Sequence, residues 1–319
     1  MGKKNILILG ATGFIGRNMA EFFSCNPDFI VTGTYLKSKP LNNPLIKMTQ
    51  VDLTCVDQVN DIIRNADIVI QAAATTSGAK DILGQPHIHV TDNAIMNSLV
   101  FRAAFEHNVS HLIFFSCSAM YPSSLSPLKE TDFNANKKMH PHYFGIGWTK
   151  VYLEKMCEFF SRQGSTRYTT IRHSNIYGPH DKFDLERSHV FGATLTKVLH
   201  CANGKITVWG DGTEERDLLY ISDLINFVRL VIQKQDSSFH LSNVGYGSPI
   251  SISDLINKII KISGKKIKVE YDISKPTIPT KLSLDCSEAK RLFGWEPKVT
   301  LDEGILKTIE WHKSNIPFH

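Results

Sequence analysis

Asn5-Ile-Leu-Ile-Leu9-Gly10-Ala-Thr-Gly13-Phe-Ile-Gly16 is the stretch that determines which fold this chain can adopt. Five apolar or strand-compatible residues are followed by three glycines at a spacing of three. Such glycines permit a tight turn, let the backbone approach a diphosphate, and let the next helix pack closely on the sheet. The helix N-terminus then presents amides and its positive dipole end to phosphate. The stretch predicts a dinucleotide-binding turn, formed by Gly10, Thr12, Gly13, Phe14, Ile15 and Gly16.

Strand and helix patterns alternate after this turn. Runs of strand length, mostly apolar or β-branched, lie at 29–35, 66–72, 110–116 and 168–172, and a short strand that ends in an acid is predicted at 47–52. Between them, helical spacing of apolar residues is found at 14–24, 56–65, 92–106 and 148–162. Near-continuous apolar strands separated by helices are typical of a parallel sheet covered on both faces. We therefore predict an α/β fold, with a Rossmann-type doubly wound parallel sheet over residues 1–176.

The pattern changes after Tyr177. Loops, a helix near 193–199 and a strand at 205–209 come first, and later short strands mix with two helices at 252–262 and 287–293. We expect a smaller mixed α/β substrate domain made of residues 177–216 and 247–319, with residues 217–246 returning to the first domain. Open α/β sheets bind ligands in the crevice beyond their strand ends. The two domains are therefore expected to enclose the site.

Composition and charge exclude several classes of protein. The chain has 319 residues, 42% hydrophobic and 21% charged, and a formal net charge of +5. These values are typical of a soluble globular protein and do not indicate nucleic-acid binding. No run of about eighteen uncharged apolar residues occurs, so we expect no membrane span. The six cysteines form no CxxC pair and have no histidine at metal-ligand spacing, which favours free thiols in the cytoplasm and no bound metal.

Four separated motifs give the chain a resemblance to a known family. They are the GxxGxxG turn at 10–16, Arg172-His-Ser-Asn175-Ile-Tyr177-Gly-Pro179, Trp209-Gly-Asp-Gly-Thr-Glu-Glu-Arg216-Asp217, and a run from Leu284-Asp285 through Gly294-Trp295-Glu-Pro297 to Gly304. With them the chain resembles the extended short-chain dehydrogenase/reductases, the NAD-dependent epimerase/dehydratase family, which acts largely on nucleotide sugars. The resemblance covers essentially the whole chain and implies a nicotinamide dinucleotide cofactor.

The resemblance also implies which further residues contact the cofactor. Asp52 matches the family position that contacts adenine, and three alanines match the strand end against which the cofactor lies flat. Lys150 matches the lysine that holds the nicotinamide ribose. The implied contacts outside the glycine turn are Tyr35, Lys37, Asp52, Leu53, Ala72, Ala73, Ala74, Lys150 and His173.

The second strand leaves the choice between NAD and NADP open. A strand that holds a free ribose 2′-hydroxyl usually ends in an acid. The segment Val31-Thr-Gly-Thr-Tyr35-Leu-Lys37-Ser-Lys39 contains no acid. Its two lysines either meet a 2′-phosphate or are solvated loop residues. We therefore expect NAD or NADP.

Within the family, the pattern resembles that of the GDP-L-fucose synthases. Their Tyr-Gly-Pro-x-Asp-x-Phe run and the Ser-His-Val that follows match Tyr177 to Phe183 and Ser188 to Val190. In those enzymes the histidine is an acid/base on a GDP-4-keto sugar, so the resemblance assigns that role to His189. It implies a GDP-sugar or another nucleotide sugar as ligand, with an arginine on the diphosphate. The implied substrate contacts are Asn175, Arg187, His189, Val208, Trp209, Arg216 and Lys281.

The catalytic set of the family is incomplete in this chain. The family uses a Ser or Thr, a Tyr, and a Lys four residues after the Tyr, whose charge lowers the phenol pKa. Lys150 is present, but Ile146 replaces the Tyr and Cys117 replaces the Ser or Thr. A second acid of the fucose synthases is replaced by Ala119. Candidate proton-transfer groups beside Lys150 are Cys117, Ser118, Tyr143, His173 and His189.

Tyr143 lies seven residues before Lys150. On one continuous helix the two residues would be about 10 Å apart. Tyr143 would approach the substrate only if the helix starts after it, which Gly145 and Gly147 permit.

Three functions are compatible with these residues. The first is an NAD(P)-dependent 4-dehydrogenase or 4-ketoreductase on a GDP-linked hexose or heptose, in carbohydrate biosynthesis such as that of capsule or lipopolysaccharide. The second is a catalytically impaired protein that binds cofactor and nucleotide sugar as a regulator or partner subunit. The third, a GDP-sugar epimerase-reductase, is disfavoured because Ala119 cannot supply the second acid. Helices 93–106 and 148–162 resemble the family's dimer helices, so we expect a homodimer or higher oligomer.

Overall fold

A seven-stranded parallel sheet forms the centre of the structure, a computed structural model that describes residues 2–75, 84–185, 188–275 and 277–316. In chain order its strands are β1 (Lys4–Leu9), β2 (Phe29–Tyr35), β3 (Ile46–Gln50), β4 (Ile68–Gln71), β5 (His111–Phe115), β6 (Arg167–His173) and β10 (Phe239–Val244). Their spatial order is β10-β6-β5-β4-β1-β2-β3. The direction of progression reverses between β1 and β4, which leaves a crevice at their carboxyl ends.

Helices cover both faces of this sheet, because successive strand residues point to opposite faces. Ile6 and Ile8 belong to a core shared with α1 (Phe14–Ser24) and α6 (Ile221–Lys234). Leu7 and Leu9 belong to the opposite core. That core is completed by α2 (Val56–Ile63), α3 (Thr91–Glu106) and α4 (Phe144–Ser161). The predicted doubly wound Rossmann-type sheet is confirmed.

The remaining elements lie beyond the strand ends. β7 (Asn175–Tyr177), β9 (Glu215–Tyr220) and β11 (Pro249–Ser251) form a small mixed sheet, and β8 (Lys205–Trp209) pairs with β12 (Lys268–Asp272). Four helices accompany them: α5 (Val190–Leu199), α7 (Ile252–Ser263), α8 (Ser287–Phe293) and α9 (Leu301–Asn315). We keep the predicted two-domain division as a proposal, with β10 in the large sheet and β9 in the small one. Among the described residues, no helix combines the length and apolar character needed to cross a membrane.

Two helices differ from the sequence prediction for identifiable reasons. α4 begins at Phe144, four residues before the predicted start at Trp148. Its glycines serve close packing, since a Cβ on Gly147 would lie 2.1 Å from the Met139 Sδ. α9 was not predicted from the sequence, although Thr300 and Glu303 form a capping box at its start.

A buried ion pair ties α4 to the sheet. Arg172 on β6 donates from Nη2 to Oε2 of Glu154 at 2.6 Å, and both side chains are about 95% buried. Glu154 also accepts a hydrogen bond from the Ser116 hydroxyl at 2.5 Å. Arg172 donates to the Tyr121 hydroxyl, which donates to Asn243. The network therefore fixes both ends of the segment 116–121, which leads from β5 into the crevice.

We predict that Arg172→Leu lowers the free energy of unfolding by about 3–5 kcal/mol, because it leaves the Glu154 carboxylate buried without its cation. Urea denaturation measures the change. Lys155→Ala is the control, since Lys155 contacts Glu158 on the exposed side of the same helix. That control is expected to cost less than about 1 kcal/mol. Equal losses for the two variants would contradict the role given to the buried pair.

Candidate functional site

A cleft of about 910 Å³ opens at the carboxyl ends of the central strands. Residues from β1, β2, β4, β5 and β6 line one side, and residues from the turn after β7, from α5 and from β9 line the other. The sequence-predicted residues that it brings together are Gly10, Thr12, Gly13, Phe14, Ile15, Tyr35, Lys37, Asp52, Leu53, Ala72, Ala73, Ala74, Cys117, Ser118, Tyr143, Lys150, His173, Asn175, His189 and Arg216.

The glycine turn has the geometry that a dinucleotide diphosphate requires. A Cβ on Gly10 would lie 2.6 Å from the Cα of Ala73, and the φ of Gly10 is +74°. A Cβ on Gly16 would lie 2.2 Å from the Gly10 carbonyl oxygen. Gly13 precedes the first turn of α1, and no side chain of the described residues caps that helix. The first-turn amides therefore remain available to a phosphate, which fits the predicted cofactor.

The far end of the cleft fits the adenosine half of such a cofactor. Asp52 accepts hydrogen bonds from the hydroxyl and the amide of Thr54, at 2.7 and 2.9 Å. These bonds, helped by the charge of Lys37, lower the pKa of Asp52. The Thr12 and Ser38 hydroxyls lie 2.7 Å apart. The lining at the end of β2 contains Tyr35 to Ser38 and no acid.

Lys150 lies at the centre of the cleft wall. Its Nζ donates to the Phe115 carbonyl at 2.7 Å and lies 4.7 Å from the centre of the Phe114 ring. Burial lowers its pKa, while interactions with Cys117 and Glu154 act in the opposite direction. The carbonyl contact holds the ammonium in place without neutralising its charge.

Tyr143 lies in the cleft just before α4. A 3₁₀ turn over Pro141–Tyr143 precedes the helix, which begins at Phe144. The condition set from the sequence, that the helix starts after Tyr143, is therefore met. Burial raises the pKa of Tyr143, which Arg216 partly offsets and Cys117 reinforces. Ile146 also lines the cleft and offers no proton there.

Cys117 is, after Tyr143, the second proton-carrying group described in this part of the cleft. Burial raises the pKa of its thiol, and the Lys150 charge opposes this shift. Cys117 therefore interacts with both Tyr143 and Lys150. Ser118 and Ala119 follow it along the same wall.

Two histidines line the cleft from different elements. The Nδ1 of His173 lies 2.7 Å from the Ser174 carbonyl oxygen, and burial lowers the His173 pKa to about 4. His189 stands at the N-terminus of α5, where burial, Lys182 and His89 lower its pKa. Both rings are therefore neutral near pH 7 and can accept a proton.

Arg216 marks the other end of the cleft. Its guanidinium donates to the carbonyls of Thr280 and Ile278, at 2.9 Å each. Among the described residues no carboxylate forms an ion pair with it. A cation held by neutral acceptors keeps its charge for an anionic ligand.

Several sequence-predicted residues lie outside the lining of the cleft. Gly16 packs behind the turn, and Val208 is buried. Trp209 is 43% exposed on β8, and Lys281 pairs with Glu215 at 2.9 Å. Arg187 lies outside the described residues. The ligand contacts assigned to these residues stay predictions.

The structure adds lining residues that the sequence analysis did not single out. Asn93 comes from the first turn of α3 and His89 from the 3₁₀ turn that precedes this helix. The Asn93 amide donates to the His89 carbonyl at 2.8 Å. Asp181 and Lys182 follow the Tyr177-Gly-Pro motif. The sequence could have indicated Asp181, because it belongs to the Tyr-Gly-Pro-x-Asp-x-Phe run from Tyr177 to Phe183. No sequence pattern indicated His89, since only tertiary packing brings it to the cleft.

Comparison with known proteins places this geometry in a family. The family model described as "NAD dependent epimerase/dehydratase family" matches residues 6–245. The chain is 27% identical to GDP-L-fucose synthase of Azorhizobium caulinodans, over 98% of this chain and 97% of the relative. It is also 27% identical to GDP-L-colitose synthase of Yersinia pseudotuberculosis, over 96% and 97%.

Solved structures show the same architecture. UDP-glucose 4-epimerase of Thermotoga maritima, determined with UDP-glucose, superposes with a TM-score of 0.87 at 25% identity, over 98% of this chain and all of that one. MoeE5, determined with UDP-glucose and NAD, has the same fold, with a TM-score of 0.85 at 21% identity over 98% of this chain and 100% of that one. The predicted family resemblance and a cofactor of the NAD type are confirmed, because the chain belongs to the NAD dependent epimerase/dehydratase family.

Proposed function

We propose that this protein is an NAD(P)-dependent oxidoreductase acting at C4 of a GDP-linked hexose or heptose, and that it works as a 4-ketoreductase. The observation that carries the proposal is the grouping of Tyr143, Cys117 and Lys150 in the cleft beside the dinucleotide turn. When bound, the nicotinamide supplies hydride chemistry. The protein must then orient the sugar and supply a proton to the carbinol oxygen.

The protonation states of the cleft favour reduction over oxidation. Burial raises the pKa of both Tyr143 and Cys117, so both groups hold their protons near pH 7. A neutral phenol is a suitable donor to an oxygen that gains negative charge, and a poor base for removing a hydroxyl proton. The Nζ of Lys150 donates to the Phe115 carbonyl, and burial is the main cause that raises the Tyr143 pKa. We therefore assign Tyr143 as the proton donor in place of the missing tyrosine at Ile146.

A GDP-sugar is the proposed substrate. Relatives of nearly equal length are named for GDP-L-fucose and GDP-L-colitose synthesis. Arg216 has the uncompensated charge that a nucleotide diphosphate needs. The lack of an acid at Ala119 disfavours epimerisation, because inversion next to a ketone needs an acid on one face of the sugar and a base on the other.

We predict that Tyr143→Phe lowers the rate of single-turnover reduction of a GDP-4-keto hexose by about 10²–10⁴-fold, the usual contribution of a positioned acid. Loss of nicotinamide absorbance measures the rate, and calorimetry should give unchanged affinity for GDP and NADPH. Lys150→Met is expected to abolish the reaction, because it removes the ammonium group that we expect to hold the nicotinamide ribose. The control is Tyr271→Phe, since Tyr271 is 40% exposed on β12 and does not line the cleft.

A rival function predicts a different pattern. A regulatory or partner-subunit protein would bind GDP-sugar or cofactor and show no single-turnover reduction in any variant. Reduction by wild type that persists in Tyr143→Phe would contradict the proton-donor assignment alone. Failure of wild type to bind any nicotinamide dinucleotide would contradict the proposed function.

We further propose that the protein forms a homodimer through α3 and α4. Phe144, Tyr152 and Phe159 are spaced by eight and seven residues, which puts them on one side of α4, and each is more than half exposed. Ile95 on α3 is 42% exposed. The two helices pack together, with the Ser98 hydroxyl 3.5 Å from the Met156 Sδ. An exposed apolar helix pair of this kind suits an interface between two copies.

We predict that the double variant Tyr152→Asp/Phe159→Asp is monomeric, because it puts two charges into an apolar interface. Light scattering coupled to size exclusion gives the mass in solution, where wild type should be twice the 35.9 kDa chain. Leu306→Asp is the control, because Leu306 is 46% exposed on the distant α9. A double variant that keeps the wild-type mass would contradict this interface.

A further inference from the structure

Asp181 is a buried carboxyl on the cleft wall that the proposed mechanism does not use. The residue is 8% exposed and lies directly after the Tyr177-Gly-Pro turn. Its Oδ1 accepts a hydrogen bond from the Lys182 amide at 2.7 Å. Its Oδ2 is buried and has no hydrogen-bond partner among the residues that the structure describes. A buried polar atom without a partner is uncommon in native proteins and costs free energy, so it calls for an explanation.

The turn that carries Asp181 is held from several sides. The Asn18 amide of α1 donates to the Pro179 carbonyl at 2.9 Å. The His180 ring lies 3.1 Å from the Glu21 carboxylate and packs on Trp311 of α9. His180 has a φ of +67°, a left-handed conformation that is uncommon for a residue other than glycine. Such a residue persists only where its surroundings fix it, and it often occurs at ligand sites.

Among the described residues, no lysine or arginine forms an ion pair with Asp181. Burial raises its pKa from 3.8 to about 7, and Lys182 opposes the shift. The titratable or charged side chains near Asp181 come from the turn and from three helices packed around it. They are Lys182 and His180 on the turn, Arg17 and Glu21 on α1, His189 at the start of α5, and His312 on α9. Of these, only Lys182 acts on Asp181. At pH 7 the carboxyl is therefore partly protonated, and among the described residues its Oδ2 has no acceptor for that proton.

We propose that Asp181 is a ligand-binding residue, which donates a hydrogen bond from Oδ2, as the neutral acid, to an oxygen of the dinucleotide or of the sugar nucleotide. The proposal rests on the proposed function for the identity of these ligands. Both carry diphosphates, whose negative charge would favour the neutral acid over the carboxylate. Its position between the turn at α1 and the start of α5 puts Asp181 beside both ligand regions.

Two substitutions that keep the approximate shape of Asp181 distinguish a hydrogen-bond donor from a side chain that only occupies space. Asp181→Asn keeps the Oδ1 acceptor and supplies an N–H donor, whereas Asp181→Leu removes both. Calorimetric titration with NADH, NADPH and GDP-mannose, each alone, measures the affinities. We expect Asp181→Leu to weaken at least one of them by about tenfold or more, the size of a lost hydrogen bond in a desolvated site. Asp181→Asn should stay within about threefold of wild type.

The pattern of losses identifies the acceptor. A loss confined to the nicotinamide dinucleotides supports an acceptor on the cofactor, and a loss confined to GDP-mannose supports one on the sugar nucleotide. Unchanged affinities of Asp181→Leu for all three would overturn the inference while leaving the proposed function intact. A wild-type protein that binds none of the three would overturn both. Asp184→Leu, a change at an exposed position of the same segment, is the control.

The stability of the ligand-free protein provides an independent readout. Because the folded pKa of Asp181 exceeds the unfolded one, the folded state binds the extra proton between about pH 4 and 7, and stability falls as the pH rises through that window. We expect Asp181→Asn to raise the melting temperature by several degrees at about pH 8 and by little near pH 4. A carboxylate that stabilises the fold would give the opposite sign at pH 8. That result would overturn the assignment.

Discussion

The backbone of Gly10 lies so close to the backbone of Ala73 that no side chain fits between them. The same turn brings Gly16 against the Gly10 carbonyl, so α1 starts directly above the sheet. These contacts join β1, α1 and the end of β4 at the point where strand order reverses. The remaining features of the cleft are positioned relative to this contact. Asp52, Lys150 and Asp181 all line the cleft into which the N-terminus of α1 opens.

A second constraint connects the sheet to the chemistry. The ion pair between Arg172 and Glu154 is buried among β6, α4 and the segment after β5. Desolvating two charges is expensive, so such a pair is weak evidence for added stability, but it strongly disfavours arrangements that separate the partners. The position of this ion pair shows which parts of the cleft it holds in place. Lys150 lies one turn before Glu154, and Cys117 follows Ser116, so the pair helps to fix two residues that line the cleft.

The sequence predicts the large sheet well, because its strands are apolar runs and its glycines have few alternative uses. The cofactor half of the site follows, since its residues are close to strand ends in the chain. The start of α4 was predicted four residues late, because Gly145 and Gly147 look like helix breakers. Their contacts with Val90 and Met139 are tertiary, and helical spacing does not reveal them. Asp181 and His89 reach the cleft through tertiary contacts. An unpartnered Oδ2 is a property of packing that no spacing reveals.

Under the proposed function, Ile146 occupies the position of the family's catalytic tyrosine, and this affects the roles of other residues in the cleft. A phenol at that place would share a helix face with Lys150, whose charge would favour the phenolate and hence proton removal. Tyr143 lies before the helix instead, near Cys117 and Arg216, and its pKa is raised by burial. Under the proposed function, the cleft has exchanged a base assisted by a lysine for an acid kept neutral by its surroundings. Asp181, whose pKa burial raises to about 7, follows the same logic. Both groups would act by donating protons or hydrogen bonds to oxygens of an anionic ligand, which suits reduction of a keto sugar better than oxidation of its alcohol.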